Sequence, residues 1–468
     1  MLIAMDDVTA VVRGSAYRDS LAGRTAVVVG LARSGVAAAR LLRDCGATVL
    51  GTDAKPIETL GADARALVTL GIRVVLERDA LAAVRRADLV VVSPGVPVDA
   101  PLAAAARAAG VPVIGELELG WRATEAETIA ITGTNGKTTT TALTGALLSR
   151  QVRPVLVAGN IGTPLAAHAL DFPPDGIVVA EVSSFQLETI EAFHPRVAAV
   201  LNVTPDHLDR HGSLAVYADA KARIFANQTS ADCAVLNADD EGAVDLASRT
   251  RADVVWFSRT RLLSHGVSLR DGVITARLNG HHEEIAPVSD IGLRGSHNVE
   301  NVLAATACAL WTGISPEDIR RGIRAFRAVP HRIELVRELD QVAYYNDSKA
   351  TNVDSAIKAL ESFSEPIVLI AGGKGKGQDF APLAEACRGR VTRVVVIGED
   401  GPKIAAALER AGIPVTRSAT LKDAIAAARG DARPGGVVLL SPACASFDMF
   451  DHFEHRGDVF KDLVRQLA

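Results

Sequence analysis

The chain has 468 residues, of which 48% are hydrophobic and 22% charged, a composition typical of globular proteins. Its net charge of −5 excludes an overall basic bias towards nucleic acid, and no apolar run reaches the length of a membrane span. Asp6 and Asp7 interrupt the first apolar residues, so we expect no signal peptide. Five scattered cysteines without metal-ligand spacing favour reduced thiols in the cytoplasm.

Short β-branched runs alternate along the chain with Ala- and Leu-rich segments of helical length. This alternation predicts an α/β fold of βαβ units, with mostly parallel sheets and flanking helices. The runs are Thr25–Gly30, Asp88–Gly95, Thr128–Gly133, Ile177–Ser184, Val197–Val203, Pro366–Gly373, Val394–Gly398 and Val437–Ser441. Ligands bind beyond the carboxyl ends of such strands. We divide the chain into three predicted domains, residues 1–122, 123–328 and 329–468.

The first domain contains a glycine turn, Gly30-Leu31-Ala32-Arg33-Ser34-Gly35, between a strand and a helix. Asp53 follows the strand predicted at Thr48–Thr52, about where an acid that binds a ribose would lie. A nicotinamide dehydrogenase is therefore an alternative. Ala32 replaces the middle glycine of the G-x-G-x-x-G pattern, which argues against close approach to a dinucleotide pyrophosphate.

A phosphate-binding loop is the strongest local signal in the sequence. The apolar run before Gly133 leads into Gly133-Thr134-Asn135-Gly136-Lys137-Thr138, and a helix is predicted from Thr138 to Leu148. Backbone N–H groups of such a loop point at phosphate oxygens, while the lysine reaches the terminal phosphates and the threonine hydroxyl binds Mg²⁺. Ile131 stands where the Walker pattern has its first glycine. The alternative is a glycine-rich turn with a surface lysine.

Polar residues close two further runs of the central domain. Glu181 follows one of them, and His207 lies in Asn202–His211 after the next, where it is a candidate metal ligand or general base. Lys221 lies in a predicted helix, and from pattern alone we interpret it as an exposed lysine. Apolar and polar residues alternate in Val267–Ile285, a pattern that predicts a β-meander. Helices are predicted at His297–Thr312 and Pro316–Phe326.

Together these segments resemble the motifs of the Mur ligases, the ADP-forming amide ligases of peptidoglycan synthesis. The matching segments are Thr132–Thr139, the Glu181 run, Asn202–His211, Gly295–Asn301 and Pro330-His331-Arg332. The resemblance implies a Rossmann-like first domain that binds a UDP-linked substrate and a P-loop ATPase-like central domain. It implies a Rossmann-like third domain that binds an amino acid. The implied reaction activates a carboxylate as an acyl phosphate and captures it with the amine.

The resemblance also implies roles for individual residues. It implies ATP binding by Gly133, Thr134, Asn135, Gly136, Lys137, Thr138, Thr139, Asn298, Asn301 and Arg332. It implies that two Mg²⁺ ions are held by Thr138, Glu181, His207 and Lys221, with Lys221 carbamylated by CO₂. Lys137, His207 and Lys221 are the implied catalytic residues. The implied UDP-substrate contacts are Arg33, Ser34, Ala54, Lys55, Ser93 and Asn160.

Three segments of the third domain resemble the D-glutamate-adding branch of the family: Asn346–Asn352, Gly372–Gly377 and Ser441–Asp448. D-Glutamate brings two carboxylates, for which Lys349, Lys376 and the Ser446 hydroxyl are suitable partners. Thr351 and Phe453 match further substrate positions. The alternatives left open are a nucleotide-dependent switch and a family ligase for another amino acid. We expect small-molecule partners, no nucleic acid, no membrane insertion and a monomer.

Overall fold

A computed structural model describes residues 11–467, except positions 152, 161, 279, 328 and 376. The strands are β1 (Thr25–Val29), β2 (Thr48–Asp53), β3 (Arg73–Leu76), β4 (Leu89–Val92), β5 (Val113–Gly115), β6 (Glu127–Thr132), β7 (Val155–Gly159), β8 (Ile177–Glu181), β9 (Val197–Val200), β10 (Cys233–Asn237), β11 (Asp253–Ser258), β12 (Gly266–Arg270), β13 (Val273–Leu278), β14 (His281–Pro287), β15 (Glu334–Leu339), β16 (Val342–Asn346), β17 (Ile367–Gly372), β18 (Val391–Ile397), β19 (Val415–Arg417) and β20 (Val437–Leu440).

The helices lie between these strands and cover their sheets. They are α1 (Gly14–Ser20), α2 (Arg33–Asp44), α3 (Ala62–Thr69), α4 (Leu81–Val84), α5 (Pro101–Ala108), α6 (Glu116–Ala123), α7 (Lys137–Leu148), α8 (Ser184–Leu187), α9 (Leu208–His211), α10 (Leu214–Ala222), α11 (Glu241–Asp245), α12 (Ser296–Trp311), α13 (Pro316–Ala325), α14 (Val353–Leu360), α15 (Ala381–Cys387), α16 (Gly401–Arg410), α17 (Leu421–Asp431) and α18 (Phe453–Arg465).

The strands form three sheets that follow one another along the chain. The first is parallel throughout, in the order β3-β2-β1-β4-β5. The central sheet, β14-β13-β12-β11-β10-β9-β6-β8-β7, is parallel from β12 to β7 and ends in the antiparallel pairs β12–β13 and β13–β14. The third, β15-β16-β20-β17-β18-β19, is antiparallel only at β15–β16. The predicted α/β fold with mostly parallel sheets and the predicted meander are confirmed.

Burial explains why the sequence forms these layers. Every residue of β8 and β9 is buried, and all of them except Glu181 at the end of β8 are apolar, because helices cover both faces of a parallel sheet. On one face of the central sheet, α7 and α12 contribute Leu147 and Leu303, both fully buried. Burying one such leucine stabilises the fold by roughly 2 kcal/mol. This packing fixes the helix that follows the phosphate loop.

Helix α6 joins the first sheet to the central one. The Glu118 carboxylate, fully buried, accepts hydrogen bonds from the backbone N–H groups of Glu191, Ala192 and Phe193, at 2.9–3.0 Å. Glu116 accepts from the Ala166 N–H at 2.8 Å, and its Oε2 has no hydrogen-bond partner among the described residues. The predicted boundary at residue 122 therefore falls within a helix that is anchored to the central domain.

We expect Glu116→Gln to stabilise the protein at pH 8 and to change little at pH 4. Burial raises the pKa of Glu116 from 4.5 to about 7, although hydrogen bonds from the Ala166 and Leu165 amides oppose the rise. A carboxyl with a raised pKa in the folded state stabilises the fold below its unfolded pKa and loses that contribution as the pH rises through 7. The loss is on the order of 3 kcal/mol at pH 8.

Melting temperatures measured from pH 4 to pH 8 test this expectation. The gain of the variant over the wild-type chain should grow with pH, because glutamine stays neutral in the buried site. Glu361→Gln, at an exposed position, is the matched control and should follow the wild-type curve. A Glu116→Gln curve parallel to the wild-type curve would contradict the assignment.

Candidate functional site

The loop between β6 and α7 has the backbone shape of a phosphate cradle. Gly133 has a φ of 155° and Gly136 a φ of 82°, conformations that side-chain-bearing residues rarely adopt. A Cβ on Gly136 would lie 2.2 Å from the Asn301 Oδ1 atom. The loop then opens directly into α7, whose first-turn N–H groups favour anions. Glycine at position 136 is therefore required both by the turn and by the packing of α12.

Two lysines converge on the carbonyl oxygen of Gly133. Lys137 Nζ donates to it at 2.8 Å and to the Thr134 carbonyl at 2.7 Å, while Lys221 Nζ donates to it at 2.8 Å. Burial lowers the pKa of Lys137 to about 8, although Glu181 and Asp206 oppose the shift. The pattern-based interpretation of Lys221 as exposed is wrong, because α10 packs beneath the loop and leaves this lysine 1% exposed.

The environment of Lys221 disfavours its charged form. Burial, followed by the positive charge of Lys137, holds the pKa of Lys221 well below its ordinary value, and Asp206 compensates only in part. Its Nζ also lies 4.4 Å from the ring centroid of Tyr217. A buried lysine with a lowered pKa has a larger neutral, nucleophilic fraction than a surface lysine.

Glu181 ends β8 beside the loop, with its side chain fully enclosed. Its Oε1 accepts from Asn160 Nδ2 at 2.7 Å, and its Oε2 has no hydrogen-bond partner among the described residues. Burial opposes ionisation, but Lys349 and Lys137 outweigh it and hold the pKa of Glu181 below its ordinary value. The side chain is therefore an anion with one oxygen to offer.

His207 follows β9 at a strained position with a φ of 53°. Its ring lies 4.9 Å from the ring of Phe185, and its Nε2 lies 3.6 Å from Asp206 Oδ2. The His207 side chain is 31% exposed, whereas that of Asp206 is 10% exposed. The strand exit thus presents one imidazole and one carboxylate to the same space.

The third domain closes over this region and forms a cleft of about 320 Å³. The predicted residues that line it are Thr134, Asn135, Gly136, Lys137, Thr138, Asn160, Glu181, His207, Arg332, Lys349, Thr351 and Phe453. They come from positions more than 300 residues apart in the sequence. The cleft therefore combines the phosphate loop, the carboxylate of β8 and the lysine after β16.

A second, narrow cavity lies between α12 and the third domain. Asn301 and Arg332 line it together with Gly136. Asn298 does not line it, because its amide donates to the Arg294 carbonyl at 2.6 Å and accepts from Asn301 at 2.9 Å. Arg332 Nε is buried and has no hydrogen-bond partner among the described residues. Asn298 thus supports Asn301 rather than facing the cavity itself.

The predicted amino-acid contacts divide into two groups in the third domain. Lys349 and Thr351 line the cleft, and Lys349 Nζ lies 4.9 Å from the Phe453 ring centroid. Burial lowers the pKa of Lys349, and Glu181 partly restores it. Ser446 is 2% exposed and does not line the cleft, and its hydroxyl lacks a partner among the described residues. Lys376 lies outside the described residues.

The predicted contacts of the first domain lie at the carboxyl edge of its sheet. Arg33 and Lys55 are exposed there and Ser34 is half-buried, while the Ser93 hydroxyl donates to the Gly30 carbonyl at 2.7 Å. Ser93 therefore shapes the glycine turn. Asp53 is also committed to this turn, because it accepts from the N–H groups of Leu31 at 2.8 Å and Lys55 at 3.0 Å. That use weakens the alternative of a ribose-binding acid in a dehydrogenase.

Sequence reasoning assigned no role to several residues that line the cleft. They include Asp206, Asn352, Ser355 and Glu454. Asp206 could have been found from its position beside His207 at a strand exit. Ser355 and Glu454 lie in helices with no distinguishing local pattern, so only their tertiary placement identifies them.

The residues fit a magnesium ion that is shared with phosphate oxygens. Among the described residues, no group of three or more His, Cys, Asp or Glu side chains is arranged to hold a metal by itself. Mg²⁺ is usually bound by one or two protein oxygens together with substrate phosphates. The free Glu181 Oε2 and the Thr138 hydroxyl at the start of α7 supply oxygens of this kind.

None of the described helices is both long and apolar enough to traverse a bilayer.

Family models match all three parts of the chain. The Mur ligase MurD-like N-terminal domain matches residues 24–115, the Mur ligase middle domain residues 131–309, and the Mur ligase glutamate ligase domain residues 331–444. The chain belongs to the Mur ligase family, as its motifs predict. Among curated proteins it is 50% identical to the UDP-N-acetylmuramoylalanine–D-glutamate ligase of Acidobacterium capsulatum, over 95% of this chain and 96% of that one. The ligase of the same name from Koribacter versatilis is 48% identical, over 95% and 98%.

Solved structures share the fold at lower identity. UDP-N-acetylmuramate-alanine ligase MurC of Thermotoga maritima superposes with a TM-score of 0.61 at 22% identity, over 94% of this chain and 99% of that one. Folylpolyglutamate synthase of Mycobacterium tuberculosis superposes with a TM-score of 0.54 at 18% identity, over 72% and 91%. At these identities the likeness shows the fold alone.

Proposed function

We propose that this protein is an ATP-dependent ligase that joins D-glutamate to UDP-N-acetylmuramoyl-L-alanine, with release of ADP and phosphate. The observation that carries the proposal is the single cleft in which the phosphate loop, Glu181 and Lys349 meet. The curated relatives at 48–50% identity, which bear the name of this activity, support the same substrate pair.

The three domains divide the substrates between them. We assign the UDP-linked substrate to residues 1–122, ATP to residues 123–328 and the amino acid to residues 329–468. Arg33, Ser34 and Lys55 lie at the sheet edge that would receive the uridine diphosphate. Asn301 and Arg332 line the narrow cavity beside the loop, whose volume of about 20 Å³ would have to increase before it could receive the nucleoside. We also propose that the enzyme acts as a monomer. We propose a cytoplasmic location, because the proposed reaction consumes ATP from that compartment.

In the proposed reaction, the alanine carboxylate of the UDP-linked substrate attacks the γ-phosphorus of ATP. An acyl phosphate forms and ADP leaves. Lys137 lies in the loop so that its ammonium offsets negative charge on the phosphoryl oxygens. The amine of D-glutamate then attacks the acyl carbon, loses a proton and expels phosphate. Closure of the third domain keeps water from the acyl phosphate.

Magnesium would be held by Thr138, Glu181 and His207, and when bound it neutralises the charge of the transferred phosphoryl group. Glu181 is suited to this role because it is ionised and leaves Oε2 free. His207 is the third candidate, since its ring faces the same cleft. Asn160 holds the other Glu181 oxygen and so fixes the direction of the carboxylate.

We further propose that Lys221 carries a carbamate. The neutral Nζ attacks CO₂ and a proton is lost, which converts a cation into an anion able to hold a second Mg²⁺. Burial, the lowered pKa and the position of Nζ, 2.8 Å from the Gly133 carbonyl, support this assignment. A protonated Lys221 would place a second positive charge close to that of Lys137, which is unfavourable, whereas a carbamate would not.

Lys349 and Thr351 would receive the carboxylates of D-glutamate, together with Lys376 and Ser446. The ammonium of Lys349 lies in the cleft beside the ring of Phe453. Ser446 would need to rotate or move to reach the substrate, since it is buried away from the cleft. Amide formation would thus depend on the position of the third domain relative to the phosphate loop.

Amino-acid-dependent ADP release by the purified protein tests the function. With Mg·ATP and UDP-N-acetylmuramoyl-L-alanine, we expect D-glutamate to give full activity, and L-glutamate, D-aspartate and D-alanine to give less than about 1% of it, because a buried charged site rejects a misplaced partner. Chelation of Mg²⁺ should abolish ADP release, and re-addition should restore it. ATP binding without amino-acid-dependent turnover would favour a nucleotide switch, and full activity with another amino acid would favour a different family ligase.

A further inference from the structure

The side chain of Asn135 points away from the loop backbone and contacts the third domain. Its Nδ2 donates to Asp354 Oδ2 and its Oδ1 accepts from the Ser355 hydroxyl at 2.6 Å. Its backbone N–H donates instead to Asn202 Oδ1 at 2.8 Å. An asparagine in the phosphate loop therefore uses both ends of its amide to hold the first turn of α14.

A second contact holds the same turn nearby. Asn352 Nδ2 donates to Asp206 Oδ2 at 3.0 Å, while Asn352 Oδ1 caps α14 by accepting from the Ser355 N–H at 2.8 Å. Asn135, Asn352 and Ser355 are each less than 9% exposed. Hydrogen bonds that are shielded from water in this way cost more to break than exposed ones, because a buried group is left without a partner.

These contacts fix a short segment of the third domain over the loop. Thr351 directly precedes the Asn352 cap, and Lys349 lies three residues before that cap, so the register of α14 sets where both side chains enter the cleft. Lys137 follows Asn135 by two residues on the other side of the contact. The distance between the amino-acid side and the phosphate side of the cleft is thus set by these hydrogen bonds.

We propose that Asn352, Asp354 and Ser355 are positioning residues, which dock the amino-acid-binding domain on Asn135 and Asp206 so that the amine meets the acyl phosphate. The inference rests on the proposed function and deepens it. It assigns the Asn135 side chain to domain docking, because both ends of its amide bond to α14 while its backbone N–H bonds to Asn202. Weaker docking then leaves the acyl phosphate open to water.

Ser355→Ala is the cleanest test, because it removes the hydroxyl that binds Asn135 and keeps the backbone N–H that is capped by Asn352. We expect amide formation to slow roughly tenfold, and the ratio of ADP released to amide formed to rise above one. The KM for the UDP-linked substrate should stay within about twofold, as that substrate is assigned to the first domain. Ser355→Thr, which retains a hydroxyl, should recover most of the loss.

Ser364→Ala is the matched control, since this exposed serine follows α14 and its hydroxyl bonds to Glu365 within its own loop. It should keep the wild-type ratio of ADP to amide. Ser355→Ala with both wild-type rate and wild-type ratio would overturn the inference. Failure of the wild-type chain to make the amide would instead overturn the proposed function.

Two further measurements do not require a fully active enzyme: a double-mutant cycle, and hydrogen exchange of the backbone N–H groups. If Asn135 and Ser355 act through one contact, the double variant should lose little more than Asn135→Ala alone. Effects that multiply would contradict a shared contact. Hydrogen exchange on the ligand-free protein should be faster in Val353–Leu360 for both single variants, and unchanged exchange in that helix would overturn the docking role.

Discussion

Replacement of Lys137 by alanine should lower the rate of amide formation by about a thousandfold or more, which is the usual loss when a preorganised charge is removed from a transition state. Lys137 Nζ lies within 2.8 Å of two loop carbonyls, so its ammonium is held where phosphoryl charge would develop. Single-turnover ADP formation with the UDP-linked substrate measures this loss directly.

The fold should survive the change of Lys137. Burial lowers the pKa of Lys137, so a charged lysine here costs folding free energy rather than supplying it. The variant should melt at the wild-type temperature or above it. Lys403→Ala, which removes a solvent-exposed lysine paired with Asp400, is the matched control and should keep full activity. A Lys137→Ala protein that turns over at the wild-type rate would remove the basis for the catalytic role of the loop.

Replacement of Lys221 by alanine should give an inactive enzyme that regains part of its activity in acetate or formate. The carbamate proposed at Lys221 is an anion, and a small carboxylate that enters the space left by the lysine would supply the missing charge. Lys221 is 1% exposed, so the vacated space is enclosed and can retain a small anion. Chloride at equal ionic strength should not rescue the variant.

Two measurements separate carbamylation from a plain structural role. In the wild-type chain, ¹³C-bicarbonate should give a carbamate carbon signal that is absent from the Lys221→Ala chain. Lys422→Ala, a change at an exposed lysine of α17, is the matched control and should be fully active without added carboxylate. No rescue by any small carboxylate, in a folded variant that still binds Mg²⁺, would argue against the carbamate.

The sequence by itself determined the α/β fold, the family and the phosphate loop. Each depends on signals that are local or that recur along the chain. The strands can be predicted from the apolar runs because strands buried on both faces are apolar, as β9 is throughout and β8 is up to Glu181. The phosphate loop can be predicted because its function depends on backbone geometry, and Gly133 and Gly136 allow the φ values that this geometry requires. The resemblance to the Mur ligases is confirmed by the family models.

Only the tertiary structure decided which side chains meet. Pattern predicted an exposed Lys221, yet α10 lies beneath the loop and buries it. Ser446 and Ser93 have suitable chemistry for ligands, yet one is enclosed and the other bonds to Gly30. Asn135 and Ser355 lie 220 residues apart and share a hydrogen bond. Such contacts depend on how complete domains pack, and no local period or spacing in a sequence encodes that arrangement.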